Sequence, residues 1–106
     1  MSDELRWSPV GQVADFSDGQ GKVVTVGARR IALFRTGDRF RALKDACPHA
    51  GVSLAMGYVH ADAVVCPAHA WAFSLDDGHC TMGPASAKAG CYAVRVTDGT
   101  VEIGVP

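Results

Sequence analysis

Two short segments of the chain each carry a cysteine and a histidine at close spacing. Cys47 and His49 are separated by one residue, Cys66 and His69 are separated by two, and 16 residues lie between the pairs. Thiolates and imidazoles are common protein ligands of zinc and of iron-sulfur centres. The four side chains therefore suit either one zinc ion or a 2Fe-2S cluster in which two histidines replace two cysteines on one iron.

The spacing and the flanking residues favour the cluster over zinc. Zinc fingers typically pair two cysteines and, separately, two histidines, whereas each segment here mixes the two types. Proline follows both cysteines, Gly51 lies two places after His49, and Trp71 lies two places after His69. These segments, CPHAG and CPAHAW, resemble the Rieske iron-sulfur family, whose pattern is Cys-x-His followed by Cys-x-x-His.

The resemblance extends over nearly the whole chain. It includes the segments 31–35, 53–58, 73–78 and 92–96. One departure is Ala70, where the family usually has glycine, so we expect the backbone there to tolerate a β-carbon.

The resemblance implies a Rieske-type 2Fe-2S cluster whose ligands are Cys47, His49, Cys66 and His69. Two imidazoles in place of two thiolates leave the core less negative, which raises its reduction potential above that of plant-type ferredoxins. In the high-potential subclass, serine and tyrosine occupy the positions of Trp71 and Phe73. That subclass also has a disulfide between the two ligand loops, at the positions that Val52 and Ala68 occupy here. We therefore expect a potential that is low for a Rieske centre.

Length and composition predict a single domain over residues 1–106 with a core that needs no disulfides. The net charge of −1, with mixed signs along the chain, predicts neither a nucleic-acid nor a membrane partner. The sequence shows no export signal and no apolar stretch of about 20 residues, so we expect a soluble, cytoplasmic protein. Cys80 and Cys91 are then predicted to be buried free thiols, with a bridge between them as the alternative.

Short β-branched segments bounded by glycine and aspartate predict an all-β protein. The predicted strands are Lys22–Val26, Ile31–Arg35, Arg39–Leu43, Val64–Val65, Tyr92–Thr97 and Thr100–Val105. Asp98-Gly99 predicts a C-terminal hairpin, and Thr36-Gly37-Asp38 predicts a second one that leads into the first cysteine segment. The resemblance implies the Rieske fold, a small antiparallel base with a cluster-binding subdomain over about residues 44–84.

The remaining polar and aromatic residues are predicted to have structural roles. His60 and His79 are interpreted as surface residues, Trp71 and Phe73 as packing residues, and Asp76-Asp77-Gly78 as a turn. Gly83-Pro84 is either the loop that covers the cluster in this family or an ordinary surface turn.

No nucleophile-base pair, phosphate-binding glycine loop or open metal position is present, so no catalytic residue is predicted. The chain is expected to transfer electrons between protein partners. One hypothesis is the small subunit of an assimilatory NAD(P)H nitrite reductase, slightly favoured by the segments 31–35 and 75–80. The alternative is a free ferredoxin between a flavoprotein reductase and a ring-hydroxylating oxygenase, and a zinc-binding or non-redox module is a remote third.

Overall fold

The computed structural model describes residues 5–48, 51–68 and 70–106. Within these ranges the chain forms ten β-strands and two 3-10 helices, which confirms the all-β prediction. The strands are β1 (Arg6–Gln12), β2 (Gln20–Val26), β3 (Arg29–Thr36), β4 (Arg39–Lys44), β5 (Tyr58–His60), β6 (Ala63–Val65), β7 (Ala72–Ser74), β8 (Cys80–Met82), β9 (Cys91–Thr97) and β10 (Thr100–Val105). The 3-10 helices are Val13–Asp15 and Leu54–Met56. None of the helices in these ranges is long and apolar enough to span a membrane.

Six strands form an antiparallel base in the order β1-β10-β9-β4-β3-β2. Both predicted hairpins are present. In the turn between β9 and β10, Asp98 and Gly99 have φ values of 51° and 79°, the left-handed conformation that a tight hairpin turn requires. In the hairpin of β3 and β4, Thr36 pairs with Arg39 next to the turn. The strand β4 then leads the chain toward Cys47.

The strand β3, which lies between β4 and β2, separates two hydrophobic cores. Because successive side chains of a strand point to opposite faces, Ile31 and Leu33 pack into the core of the base, and Ala32 and Phe34 pack on the other side. All four are fully buried. This double burial explains why the segment is a continuous apolar run rather than an alternating one.

The remaining four strands form a small antiparallel sheet in the order β5-β6-β7-β8. Its inner face carries Val64 and Phe73, which pair across β6 and β7 and pack in the same core as Phe34 and Leu43 of the base. The small sheet is therefore held against β3 and β4. The first cysteine segment follows β4, and the second connects β6 to β7.

Four strands are absent from the sequence-based prediction. The strand β1 contains Pro9 and a register shift between Pro9 and Gly11, features that mark an edge strand and weaken its sequence signal. The other three, β5, β7 and β8, are only three residues long. Strands this short depend on their neighbours in the sheet rather than on a pattern of their own.

Candidate metal centre

The first cysteine segment is a closed loop directly after β4. The Cys47 N–H donates to the Val52 carbonyl (2.8 Å), and the Gly51 N–H donates to the Cys47 carbonyl (2.8 Å). Gly51 has a φ of 69°, which reverses the chain within the loop. The Cys47 residue is 2% exposed.

The second cysteine segment, between β6 and β7, closes in the same way. The Cys66 N–H donates to the Trp71 carbonyl (2.6 Å), and the Ala70 N–H donates to the Cys66 carbonyl (3.1 Å). Ala70 has a φ of 60°, the same conformation as Gly51 in the first loop. The expectation that this position tolerates a β-carbon is therefore confirmed, although a left-handed alanine costs roughly 1 kcal/mol.

The two cysteines thus occupy equivalent positions in two matching loops. Both belong to one buried cluster that also contains Leu54 and Phe73. Two buried cysteine sulfurs at matched positions are a donor pair that fits one iron of a cluster. His49, Ala50 and His69 lie outside the residues that the structure describes. The described residues contain no group of three or more side chains that could hold a metal ion.

A buried carboxylate holds the first loop against the base. The Asp45 side chain is fully buried and accepts hydrogen bonds from the Ser53 hydroxyl (2.7 Å), the Ala55 N–H (2.9 Å) and the Arg30 guanidinium (3.2 Å). These contacts join the residues before and after the loop. The role of Asp45 could not be predicted from the sequence, because a single aspartate near a turn carries no distinctive pattern.

The Gly83-Pro84 segment lies against the second loop. A β-carbon at Gly83 would come within 3.0 Å of Trp71 Cγ and of Cys80 Sγ, so only glycine allows this close approach. The sequence left two interpretations of Gly83-Pro84 open, a covering loop and an ordinary surface turn. This contact favours a loop that covers the second cysteine loop. Trp71 and Phe73 pack in the adjacent core, as predicted.

The other predicted residues lie as follows. His60 and His79 are exposed, as predicted, and a turn over residues 75–77 overlaps the predicted turn at residues 76–78. Backbone and side-chain hydrogen bonds from His79 hold the pKa of Asp77 below its ordinary value.

Cys66, Cys80 and Cys91 are free thiols, so the alternative of a Cys80–Cys91 bridge is excluded. Cys80 is buried, but the prediction that Cys91 is buried is wrong, because this residue begins β9 with its side chain on the solvent face.

A charged network that the sequence did not reveal joins the base to the small sheet. Arg41 of β4 donates to Asp76 (2.7 Å), to Asp62 (2.9 Å) and to the Thr36 hydroxyl (2.8 Å). Its burial acts to lower the pKa of Arg41, but the hydrogen bonds and charges of Asp62 and Asp76 outweigh burial and raise it. The hydrogen bond from Arg41 holds the pKa of Asp76 below its ordinary value.

Comparison with known proteins identifies the family to which these loops belong. The family model of the Rieske [2Fe-2S] domain matches residues 6–96, which include both cysteine loops. The chain belongs to the Rieske family. The anthranilate 1,2-dioxygenase ferredoxin subunit of Burkholderia cepacia is 32% identical over 99 residues, which cover 93% of this chain and 92% of that protein.

Two solved structures extend the comparison. A carbazole 1,9a-dioxygenase ferredoxin, in complex with its oxygenase, superposes on this Rieske chain with a TM-score of 0.85, 33% identity and 92% coverage of both chains. A protein described as the small subunit of an NADH-dependent nitrite reductase from Mycobacterium tuberculosis superposes with a TM-score of 0.92, 26% identity and 98% coverage of both. The predicted Rieske fold is confirmed. The protein is a Rieske electron-transfer protein with a 2Fe-2S cluster as its cofactor.

Proposed function

We propose that Cys47 and Cys66 bind one iron of the cluster and that His49 and His69 bind the other. The matching closure of the two loops and the burial of both cysteines in one core support this ligand set. The cluster, when bound, accepts and releases one electron. The chain holds it between the two cysteine loops, with residues 44–84 as the cluster-binding subdomain of a single domain, and exchanges that electron with protein partners.

Replacement of a proposed sulfur ligand tests the assignment. Cys66→Ser should abolish cluster assembly, because loss of one thiolate removes half of the anchoring of its iron. Cys91→Ser is the matched control, since Cys91 is exposed and lies on a strand of the base. Iron and acid-labile sulfide are measured per chain. A full cluster content in Cys66→Ser would refute the ligand set.

The electron donor and acceptor that we propose are a flavoprotein reductase and a ring-hydroxylating oxygenase. Support comes from the Burkholderia cepacia ferredoxin subunit and from the carbazole dioxygenase ferredoxin, both more than 30% identical to this chain. A cytoplasmic location belongs to the same proposal, and the free thiols of Cys80 and Cys91 fit a reducing compartment.

The second candidate is the small subunit of an assimilatory NAD(P)H nitrite reductase. It is favoured by the Mycobacterium tuberculosis structure, which covers 98% of both chains, and by the sequence segments 31–35 and 75–80. The electron-transfer chemistry of the chain is the same in both systems, and the partners differ.

Reconstitution discriminates between the two systems. The loaded protein is added to the reductase and oxygenase of the Burkholderia cepacia anthranilate system, or to the large subunit of the Mycobacterium tuberculosis nitrite reductase. We expect it to support substrate-dependent oxygen consumption in the first system and to leave nitrite reduction unchanged in the second. The opposite result would replace our proposal by the second candidate.

We propose that electrons leave through the tips of the two cysteine loops. Ala68, Ala70 and Pro84 are small, uncharged and exposed there, whereas Val52 is half-buried against the core and Ala50 lies outside the described residues. Ala68→Glu should slow electron transfer to the oxygenase and leave the visible spectrum intact. Ala14→Glu, on an exposed 3-10 helix of the base, is the control. Equal rates in both variants would mean that the partner docks elsewhere.

A further inference from the structure

Three cationic side chains lie together at the end of the base that carries the first cysteine loop. Arg29 and Arg30 begin β3, and Lys44 ends β4. Because Lys44 pairs with Ile31 in the antiparallel register, all three residues lie at the same end of the two strands. This is the end from which the chain enters the loop of Cys47.

These residues line a groove with a volume of about 570 Å³. The groove is also lined by Gly51 and Ser53 of the first loop region and by Tyr92 of β9. It therefore borders the first of the two loops through which electrons are proposed to leave.

The described residues only partly neutralise the positive charge of the groove. Among them, the one carboxylate that lines the groove is Asp45, which is fully buried and already accepts hydrogen bonds from Ser53, Ala55 and Arg30. In the described ranges, Arg30 is the only one of the three cations in an ion pair, and Arg29 instead packs over the ring of Tyr92.

The opposite end of the same strands has a different charge pattern. There, Arg39 and Arg41 are paired with Asp76, and Asp38 lies in the turn between β3 and β4. The net charge of the chain is −1, so the groove is a local positive region on a slightly acidic molecule. Such an arrangement orients a charged partner during diffusional encounter.

We propose that this basic groove, formed by Arg29, Arg30 and Lys44, receives an acidic segment of the redox partner and so positions the partner over the cysteine loops. The inference rests on the proposed exchange of electrons at those loops. It assigns the partner a surface of clustered carboxylates beside its own electron-transfer site. Weak redox encounters of this kind use small interfaces, of less than about 1,200 Å².

The test uses a hexaglutamate peptide as the probe of the groove. Titrated into the ¹⁵N-labelled, cluster-loaded protein, it should shift the amide signals of residues 28–30, 44 and 92. The double variant Arg29→Gln/Lys44→Gln should lose these shifts, and Lys22→Gln/Arg39→Gln should keep them. The control pair removes the same charge away from the groove, and Arg30 is left intact because it holds Asp45.

A kinetic arm connects the groove to electron transfer. The reduced protein gives one electron to hexacyanoferrate(III), which becomes hexacyanoferrate(II). At low ionic strength this rate should be about tenfold lower in Arg29→Gln/Lys44→Gln than in the control pair. Hexaglutamate should inhibit the reaction in the unmodified protein, and added salt should remove the inhibition.

Three results would overturn the proposal. The first is a set of amide shifts on peptide addition that is equal in the two double variants. The second is the same set of shifts produced by monomeric glutamate at the same carboxylate concentration. The third is a rate of hexacyanoferrate(III) reduction that does not differ between the two double variants. A chain without a reducible cluster would instead refute the proposed function. The peptide titration would still report on the groove, because it does not depend on the cluster.

Discussion

Phe73 occupies the position at which the high-potential Rieske subclass has a tyrosine hydroxyl near the cluster, as the family resemblance implies. It is fully buried in the same core as Cys47 and Cys66, and it has no hydrogen-bonding group to offer their sulfurs. Hydrogen bonds to the sulfurs stabilise the reduced cluster and raise its potential. The absence of a hydroxyl at this position thus favours a low potential.

The midpoint potential should therefore lie near the lower end of the range of roughly −150 to +300 mV known for Rieske centres. Phe73→Tyr should raise it by about 40 mV, the equivalent of one hydrogen bond of roughly 1 kcal/mol. Phe40→Tyr, in the other core, is the control. Protein-film voltammetry measures all three potentials, and a strongly positive value for the unmodified protein would contradict this account.

Residue types and spacing were sufficient to propose the four ligands, because metal ligation requires particular donors at close spacing, and this ligand set stays a prediction. They were not sufficient to predict Asp45 or Arg41. The partners of these residues come from distant parts of the chain, such as Asp62 and Asp76 for Arg41, and they meet only when the two sheets pack. Cys91 shows the same limit, since its exposure depends on which face of β9 is covered.

At the scale of elements, Arg41 is a largely buried polar link between the base and the small sheet. Arg41→Ala would leave two carboxylates close together without their shared cation, and we expect it to destabilise the protein by about 2 kcal/mol. Arg39→Ala is a matched control, because Arg39 also binds Asp76 but both groups are exposed. Exposed pairs contribute less than about 1 kcal/mol. Equal losses in urea unfolding would show that burial of Arg41 is unimportant.

The same network predicts a dependence of stability on pH. The hydrogen bond from Arg41 lowers the pKa of Asp76 in the folded protein, so its stabilising effect is present above the ordinary pKa of the carboxyl. The effect is lost as the pH falls through the lowered value. Asp76→Asn should therefore be less stable than the unmodified protein at neutral pH, with a difference that shrinks in acid. Urea unfolding at about pH 7 and about pH 3 measures it, and a constant difference would exclude this role.

The longer strands could be predicted because their hydrophobic patterns and turn residues are local. The continuous run Ile31–Phe34 and the Asp98-Gly99 turn are clear in the sequence, and both have the expected structure. The strands β5, β7 and β8 could not be predicted in this way. Their three-residue segments form a sheet only because its inner face packs on β3 and β4.

At the scale of the molecule, the two faces of the base have different roles. The core on one face stabilises the six-stranded base itself, and the core on the other face of β3 and β4 supports the small sheet and both cysteine loops. The overall fold could be expected from the resemblance of the sequence to the Rieske family. The basic groove could not, because Arg29, Arg30 and Lys44 become neighbours only through the register of β3 with β4.

The central claim is a 2Fe-2S cluster held by Cys47, Cys66, His49 and His69, and electron paramagnetic resonance of the reduced protein tests it most directly. We predict two irons and two acid-labile sulfides per chain and a rhombic mixed-valence signal. The signal should show nitrogen couplings from two imidazoles that change when histidine is labelled with ¹⁵N. One zinc per chain with no acid-labile sulfide, or a reduced cluster without histidine couplings, would contradict the account.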